Sequence, residues 1–313
     1  MIVALTPSPA LDRTVHVPRP LRPGALNRVG SARETAGGKG MNVVRAVHRL
    51  GGEAVGAVPL AGENGRTFAA RAGSEGLRIL VGEAETETRC CTIVTHEEPA
   101  HPTEINEPGS VVCEGAWREL LRSVAELQPD VVVVSGTMPP GTEPLRLLET
   151  LTSFVPAQQI VVDGSGETLA AALQLGVKLV SPNTAELEQF CRAAGWAERG
   201  RAAAARVHAT YGVEVLLSDG QNGAGWFGGS TWWARLERPV AGNPIGSGDT
   251  LLGAFLLRLL SASEPAGGVA SPAADALRFA VAAAAANVRA GGGALIDPAG
   301  VDDQLPHVAI EEL

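Results

Sequence analysis

Short apolar runs that stop at polar or glycine residues recur along this chain, and between them apolar positions return at three- and four-residue spacing. Val131-Val132-Val133-Val134 stops at Ser135-Gly136, Ile160-Val161-Val162 at Asp163-Gly164, Leu179-Val180 at Ser181-Pro182-Asn183, and the run from Val213 to Leu217 at Ser218-Asp219-Gly220. The intervening stretches read as helices, through Trp117, Leu120, Leu121, Val124 and Leu127, then Leu145, Leu148 and Leu151, then Leu169 to Leu175. Continuous apolar strands alternating with helices predict an α/β fold, a central mostly parallel sheet covered by helices on both faces. Each strand ends in polar or glycine residues, so one edge of the sheet is expected to be a polar crevice, where ligands of open α/β sheets collect.

The first strand, Ile2-Val3-Ala4-Leu5-Thr6, runs into the turn Pro7-Ser8-Pro9, and Asp12 is expected just past its C-terminal end, placed for a ligand hydroxyl. A surface aspartate is the plainer reading. Val15, Val17, Leu26 and Val29, interleaved with prolines, predict short strands, as do Thr88 to Val94 and Thr103 to Gly109. Segments of about 13–31 and 87–112 are expected to form a small sheet that acts as a lid within a single domain spanning 1–313. A hairpin is predicted across Gly228-Gly229, a flexible connection at 264–268, and an alanine-rich helix over 273–290 that carries Asn287.

Two glycine turns open helices. In Asn243-Pro244-Ile245-Gly246-Ser247-Gly248-Asp249-Thr250 the glycines precede an apolar run dense enough to be a buried helix. The unpaired N–H groups and positive dipole end of such a helix can hold an anion, with Asp249 beside it as a base; a plain N-cap is the alternative. Gly37-Gly38-Lys39-Gly40 opens a second helix through Val43, Val44, Val47 and Leu50, and it matches neither the P-loop nor the dinucleotide fingerprint. Asn183-Thr184-Ala185-Glu186 reads as a capping box, and the same spacing leaves an amide and a carboxylate at the crevice, where they can orient water around Mg²⁺.

The net charge of −9 argues against nucleic acid or an anionic membrane as partner. An anionic small molecule then needs a local cation. Of 25 basic residues only Lys39 and Lys178 are lysines, which singles out the ammonium of Lys39 among its glycines. No uninterrupted apolar run is long enough to span a bilayer, and a cytoplasmic protein is expected. Cys90, Cys91, Cys113 and Cys191 have no metal-ligand spacing.

These motifs, in this order, resemble those of the ribokinase-like sugar kinases, also called the phosphofructokinase-B family. Pro9-Ala10-Leu11-Asp12, Thr88-Arg89, Thr103-Glu104-Ile105-Asn106 and Ser135-Gly136-Thr137-Met138-Pro139 look most like the branch acting on phosphorylated sugars. The resemblance implies an ATP- and Mg²⁺-dependent kinase of a ketohexose monophosphate. Fructose 1-phosphate leads as substrate, with tagatose 6-phosphate or fructose 6-phosphate as alternatives, and a non-catalytic sugar-phosphate sensor stands as the reading from another class. It further implies Asp249 as base and the N–H groups of Gly246, Ser247 and Gly248 as anion hole. Asp12, Gly38, Lys39 and Asn42 would hold the sugar, with Arg28 and Arg89 on its phosphate. Asn183, Ser218, Gly220, Gly223 and Asn287 would bind ATP, and Glu186 and Asp163 would organise Mg²⁺ through water. A homodimer through the lid is expected. Many sugar-phosphate kinases carry a lysine where Ser181 stands here, so a phosphate contact is either lost or supplied by Lys178.

Overall fold

The computed structural model describes residues 1–96, 102–261 and 271–313. The connection expected at 264–268 lies outside the described residues. Elements are numbered in chain order. β1 (Ile2–Leu5) is flanked on one side by the parallel strands β4 (Ala54–Leu60) and β5 (Arg78–Glu83). On its other side lie β8 (Val131–Ser135), β9 (Ile160–Asp163), β10 (Leu179–Val180) and β11 (Glu214–Ser218), all parallel. The antiparallel strands β12 (Ala224–Phe227), β13 (Thr231–Leu236) and β14 (Val308–Glu312) extend that edge, giving a 10-stranded mixed sheet among the described residues.

Both faces are buried, and the two-residue period of a strand sorts the side chains between them. Ile2, Ala4, Val131 and Val133 enter one core; Val3, Leu5, Val132 and Val134 enter the other. The first core lies under α1 (Lys39–Arg49), α2 (Gly62–Ser74), α8 (Ser247–Ser261) and α9 (Pro272–Arg289). The second lies under α3 (Glu114–Glu126), α4 (Pro144–Thr152), α5 (Gly166–Gln174), α6 (Thr184–Ala193) and α7 (Gly200–Tyr211). A further short helix, α10 (Pro298–Gln304), precedes β14. α8 comes close to α1 because Gly253 faces the backbone: a Cβ there would stand 3.1 Å from the Val43 carbonyl oxygen.

A separate sheet has the order β3-β2-β6-β7, made of β2 (Ala10–Val17), β3 (Ser31–Gly37), β6 (Arg89–His96) and β7 (Thr103–Asn106). It differs in detail from the expectation. Val15 and Val17 are buried in β2, but Leu26 and Val29 lie between strands, 72% and 50% exposed, so their apolar character serves no core. Asp12 is not in a turn after β1; the chain reverses at Pro7 to Pro9 and re-forms as β2, with Asp12 inside it. The hydrophobic pattern assigned no element to residues 52–82, yet β4, α2 and β5 are there. β4 is buried along its whole length, and such a strand gives no alternation to read.

Candidate functional site

The turn before α8 is held from behind by two asparagines. Asn243 donates through Nδ2 to the Gly291 carbonyl (2.8 Å) and accepts from the Ile245 N–H (3.0 Å). Asn287 donates to the Ile245 carbonyl and the Ser247 hydroxyl, each at 2.9 Å, and accepts from the Ala294 N–H at 2.8 Å. Asn287 is 0% exposed with its amide committed, so it cannot touch a nucleotide as expected; it shapes the turn instead. Gly246 has φ +74, and a Cβ there would press on Ala294 N at 3.1 Å, so glycine is required for both backbone conformation and space. The expected trio of amides is also revised, because the Ser247 N–H donates to the Pro244 carbonyl at 3.0 Å. Among the described residues the N–H groups of Gly246, Gly248 and Asp249 meet no protein acceptor, and these three are available to an anion.

Asp249 is 6% exposed and accepts a hydrogen bond from Asn42 Nδ2 at 2.8 Å. Asn42, expected on the sugar, uses one N–H of its amide on this carboxylate. Burial pushes the Asp249 carboxyl up to about 7, Asp163 adds to the rise, and Lys39 and the Asn42 hydrogen bond oppose it. Lys39 is likewise not simply a sugar ligand. Its ammonium lies 3.6 Å from Asp163 Oδ1 and 3.9 Å from Glu186 Oε1, and Asp163 foremost holds its pKa above the ordinary lysine range.

Asp163, at the end of β9, also accepts from the Ser135 hydroxyl at 2.7 Å. Glu186 serves two purposes at once. Its Oε2 accepts from the Asn183 N–H (3.0 Å) while Asn183 Oδ1 accepts from the Glu186 N–H (2.9 Å), which completes the capping box and leaves Oε1 facing Lys39. Among the described residues no group of three or more His, Cys, Asp or Glu side chains can hold a metal ion. Two carboxylates nevertheless fit a Mg²⁺ that arrives with a nucleotide, because such an ion keeps several waters and takes one or two protein carboxylates. Beside Lys39 and Glu186 a cleft of about 380 Å³ runs between Thr137 and Thr168.

On the opposite side Asp12 lies against the first glycine turn. A Cβ on Gly37 would stand 2.0 Å from Asp12 Oδ2, so Gly37, which was not among the expected site residues, makes room for the carboxylate. Gly38, the next residue of the turn, has φ +106. Burial raises the Asp12 carboxyl to about 6, against the pull of Arg45 and Arg89. Arg89 donates to the Ser8 carbonyl at 2.9 Å and the Glu107 carbonyl at 3.2 Å, and its buried Nε has no partner among the described residues. Arg28 is exposed in the stretch between β2 and β3.

Ser218, Gly220 and Gly223 lie where β11 turns into β12. Gly223 has a structural reason for its identity, since a Cβ would stand 2.2 Å from the Ala234 carbonyl oxygen. Lys178 precedes β10, at the opposite end of that strand from Ser181, and its charge acts on Glu214. Arg45, missed in the sequence, is buried beside Asn42. A charged residue between Val44 and Ala46 in an apolar helical run was the available signal.

The raised carboxyl of Asp249 carries a stability cost with a definite sign. Between the ordinary value of 3.8 and about 7 the folded chain keeps a proton that the unfolded chain has released. Stability therefore falls as pH rises through that window. Asp249→Asn should raise Tm at pH 8 by at least about 1–2 °C, the shift for roughly 1 kcal/mol in a chain of this size. The gain should shrink towards pH 4; calorimetry showing no gain at pH 8, or an equal gain at both, would contradict the assignment.

The pattern of the pfkB family carbohydrate kinases matches residues 10–299. The chain is 32% identical over 268 residues to the ATP-dependent 6-phosphofructokinase isozyme 2 of Escherichia coli (strain K12), covering 82% of this chain and 85% of that one. It is 30% identical over 227 residues to a 1-phosphofructokinase of Haloferax volcanii, covering 72% of each. Its fold superposes with a TM-score of 0.83 on the crystal structure of the phosphofructokinase-2 from Escherichia coli in complex with fructose-6-phosphate, at 28% identity and over 97% of this chain and 98% of that one. No helix among the described residues is long and apolar enough to cross a membrane. A match of this span, with relatives at this identity, means that the chain belongs to the pfkB family of carbohydrate kinases and is an ATP-dependent sugar kinase.

Proposed function

We propose that this kinase transfers the γ-phosphoryl group of ATP to the free primary hydroxyl of fructose 1-phosphate, giving fructose 1,6-bisphosphate. The observation that carries the chemistry is Asp249, a buried carboxylate whose proton affinity is raised to about 7, one residue past Gly248 at a helix start with free N–H groups. A base titrating near neutrality can take the hydroxyl proton as the new O–P bond forms. The N–H groups of Gly246, Gly248 and Asp249 face the charge that spreads over the transferring group, and their orientation is set before the reaction by the two asparagines. Lys39 adds a point charge beside Asp163 and Glu186, and these carboxylates would hold the waters of Mg²⁺. That ion, when bound, neutralises phosphate charge. Asn183, Ser218 and Gly220 line the nucleotide side.

Asp12 and Arg89 come from β2 and β6, so the small sheet supplies the sugar side, with Asp12 for a ring hydroxyl and Arg89 for the phosphate already present. We read that sheet as a lid whose closure removes water from the phosphoryl group. Fructose 6-phosphate is the second reading, favoured by the relative from Escherichia coli at 32% identity.

Coupled ADP release over fructose 1-phosphate, fructose 6-phosphate, tagatose 6-phosphate and the free sugars is the deciding assay. The highest kcat/KM should fall on fructose 1-phosphate, and a higher value on either 6-phosphate would replace that assignment. With the preferred substrate, Asp249→Asn should lower kcat by roughly 10²–10⁴; near-normal turnover would remove Asp249 from the mechanism. Arg89→Ala should weaken kcat/KM for the sugar phosphate by roughly 2–4 kcal/mol and hardly affect the unphosphorylated sugar. Equal losses on both would assign Arg89 to the integrity of β6 instead. Hydrogen exchange in β2, β6 and β7 should slow on saturation with sugar phosphate and nucleotide, and unchanged exchange would count against a lid.

A further inference from the structure

Arg45 is 2% exposed, an unusual burial for a guanidinium, and its donors are divided between a structural partner, Glu75, and groups at the two glycine turns. Its Nε donates to Glu75 Oε2 at 2.6 Å and its Nη2 to Glu75 Oε1 at 3.3 Å, a forked pair that ties α1 to the end of α2. Nη2 also donates to the Ala36 carbonyl at 2.7 Å, just before the Gly37-Gly38 turn. Nη1 donates to Asn42 Oδ1 at 2.9 Å and reaches the Gly293 carbonyl at 3.5 Å, opposite Gly246.

The contact with Asn42 has a directional consequence. A carboxamide can exchange its oxygen and nitrogen by a half-turn with almost no change of shape, so packing alone does not choose between the two orientations. A guanidinium offers only donors. Asn42 must therefore turn its oxygen to Arg45 and its NH₂ to Asp249, as observed at 2.8 Å. With the amide reversed, an acceptor would face the carboxylate, and the contact would favour the protonated acid, the wrong form for a base.

We propose that Arg45 is a positioning residue for phosphoryl transfer, which acts through the Asn42 amide to keep a donor on Asp249 and one carboxylate oxygen aimed at the substrate hydroxyl. This rests on Asp249 being the base. The forked pair with Glu75 is the structural part of Arg45's role, and the Asn42 contact is the functional part; the two are separable.

The test is a double-mutant cycle on kcat between Arg45 and Asn42, with Tm measured for each variant. Arg45→Met should lower kcat about 10- to 100-fold with KM for both substrates little changed, the scale for a misplaced catalytic group. In an Asn42→Ala background the same substitution should cost no more than about twofold, because the amide through which it acts is gone. Glu75→Gln should lower Tm and leave kcat within about twofold, since the Arg45–Asn42 bond survives. If the methionine variant does not fold, Arg45→Lys keeps a charge opposite Glu75, and the same cycle is read with it: an ammonium spent on Glu75 leaves Asn42 unfixed, and kcat should again fall about tenfold or more. Equal losses in both backgrounds, a loss below about twofold in the parent, or a Glu75→Gln loss as large as that of the Arg45 variant would each overturn the proposal. Asp249→Asn separates the two failures: a full loss there with an additive cycle removes Arg45 and keeps the base.

Discussion

The hydrogen bond from Asn42 to Asp249 joins positions 207 residues apart, and the site depends on the helix contact that makes it possible. α1 and α8 both begin in glycine turns, and their first turns meet because Gly253 lets α8 rest on the backbone of α1 near Val43. A side chain at that position would move the helices apart and with them the amide from the carboxylate. The interior underneath is close-packed, with Leu252, Ala254 and Phe255 all 0% exposed, so the two helix starts are held by packing that resists small displacements. Burial of Asp249 follows from the same contact. The burial that raises its proton affinity is also what the fold pays for in stability.

The residues proposed for the chemistry and those proposed for the sugar lie on different parts of the chain. Asp249, Lys39, Asp163 and Glu186 stand on the large sheet and its helices; Asp12 and Arg89 stand on the small sheet, in neighbouring strands. A net charge of −9 is no obstacle to anionic ligands in this arrangement, because the charge that matters is the ammonium of Lys39 and the N–H groups at the start of α8.

Local patterns were legible in the sequence; partnerships between distant residues were not. The valines of β8 read as a strand covered on both faces, and they are divided between two cores. The capping box of Asn183 and Glu186 was read correctly from spacing, since both partners lie within one helical turn. Leu26 and Val29 misled because alternation of apolar residues says nothing of whether a sheet exists to receive them. Asp12, Lys39 and Asn42 stood out in the sequence, but their contacts depend on which strand and helix ends the topology brings together. Asn287 was placed on the nucleotide, whereas its amide is consumed within the turn it supports. Arg45 was passed over because a single arginine in a helix reads as a surface charge until Glu75, 30 residues away, is seen beside it.

Glu186 gives one oxygen to the start of α6 and the other to the ammonium of Lys39. Unwinding the first turn of that helix would free the carboxylate to leave Lys39, so fraying at this helix end and loss of the Lys39–Glu186 ion pair are thermodynamically linked. The amide protons of Asn183 and Glu186, two ordinary cap hydrogen bonds, thereby become reporters of charge in the crevice.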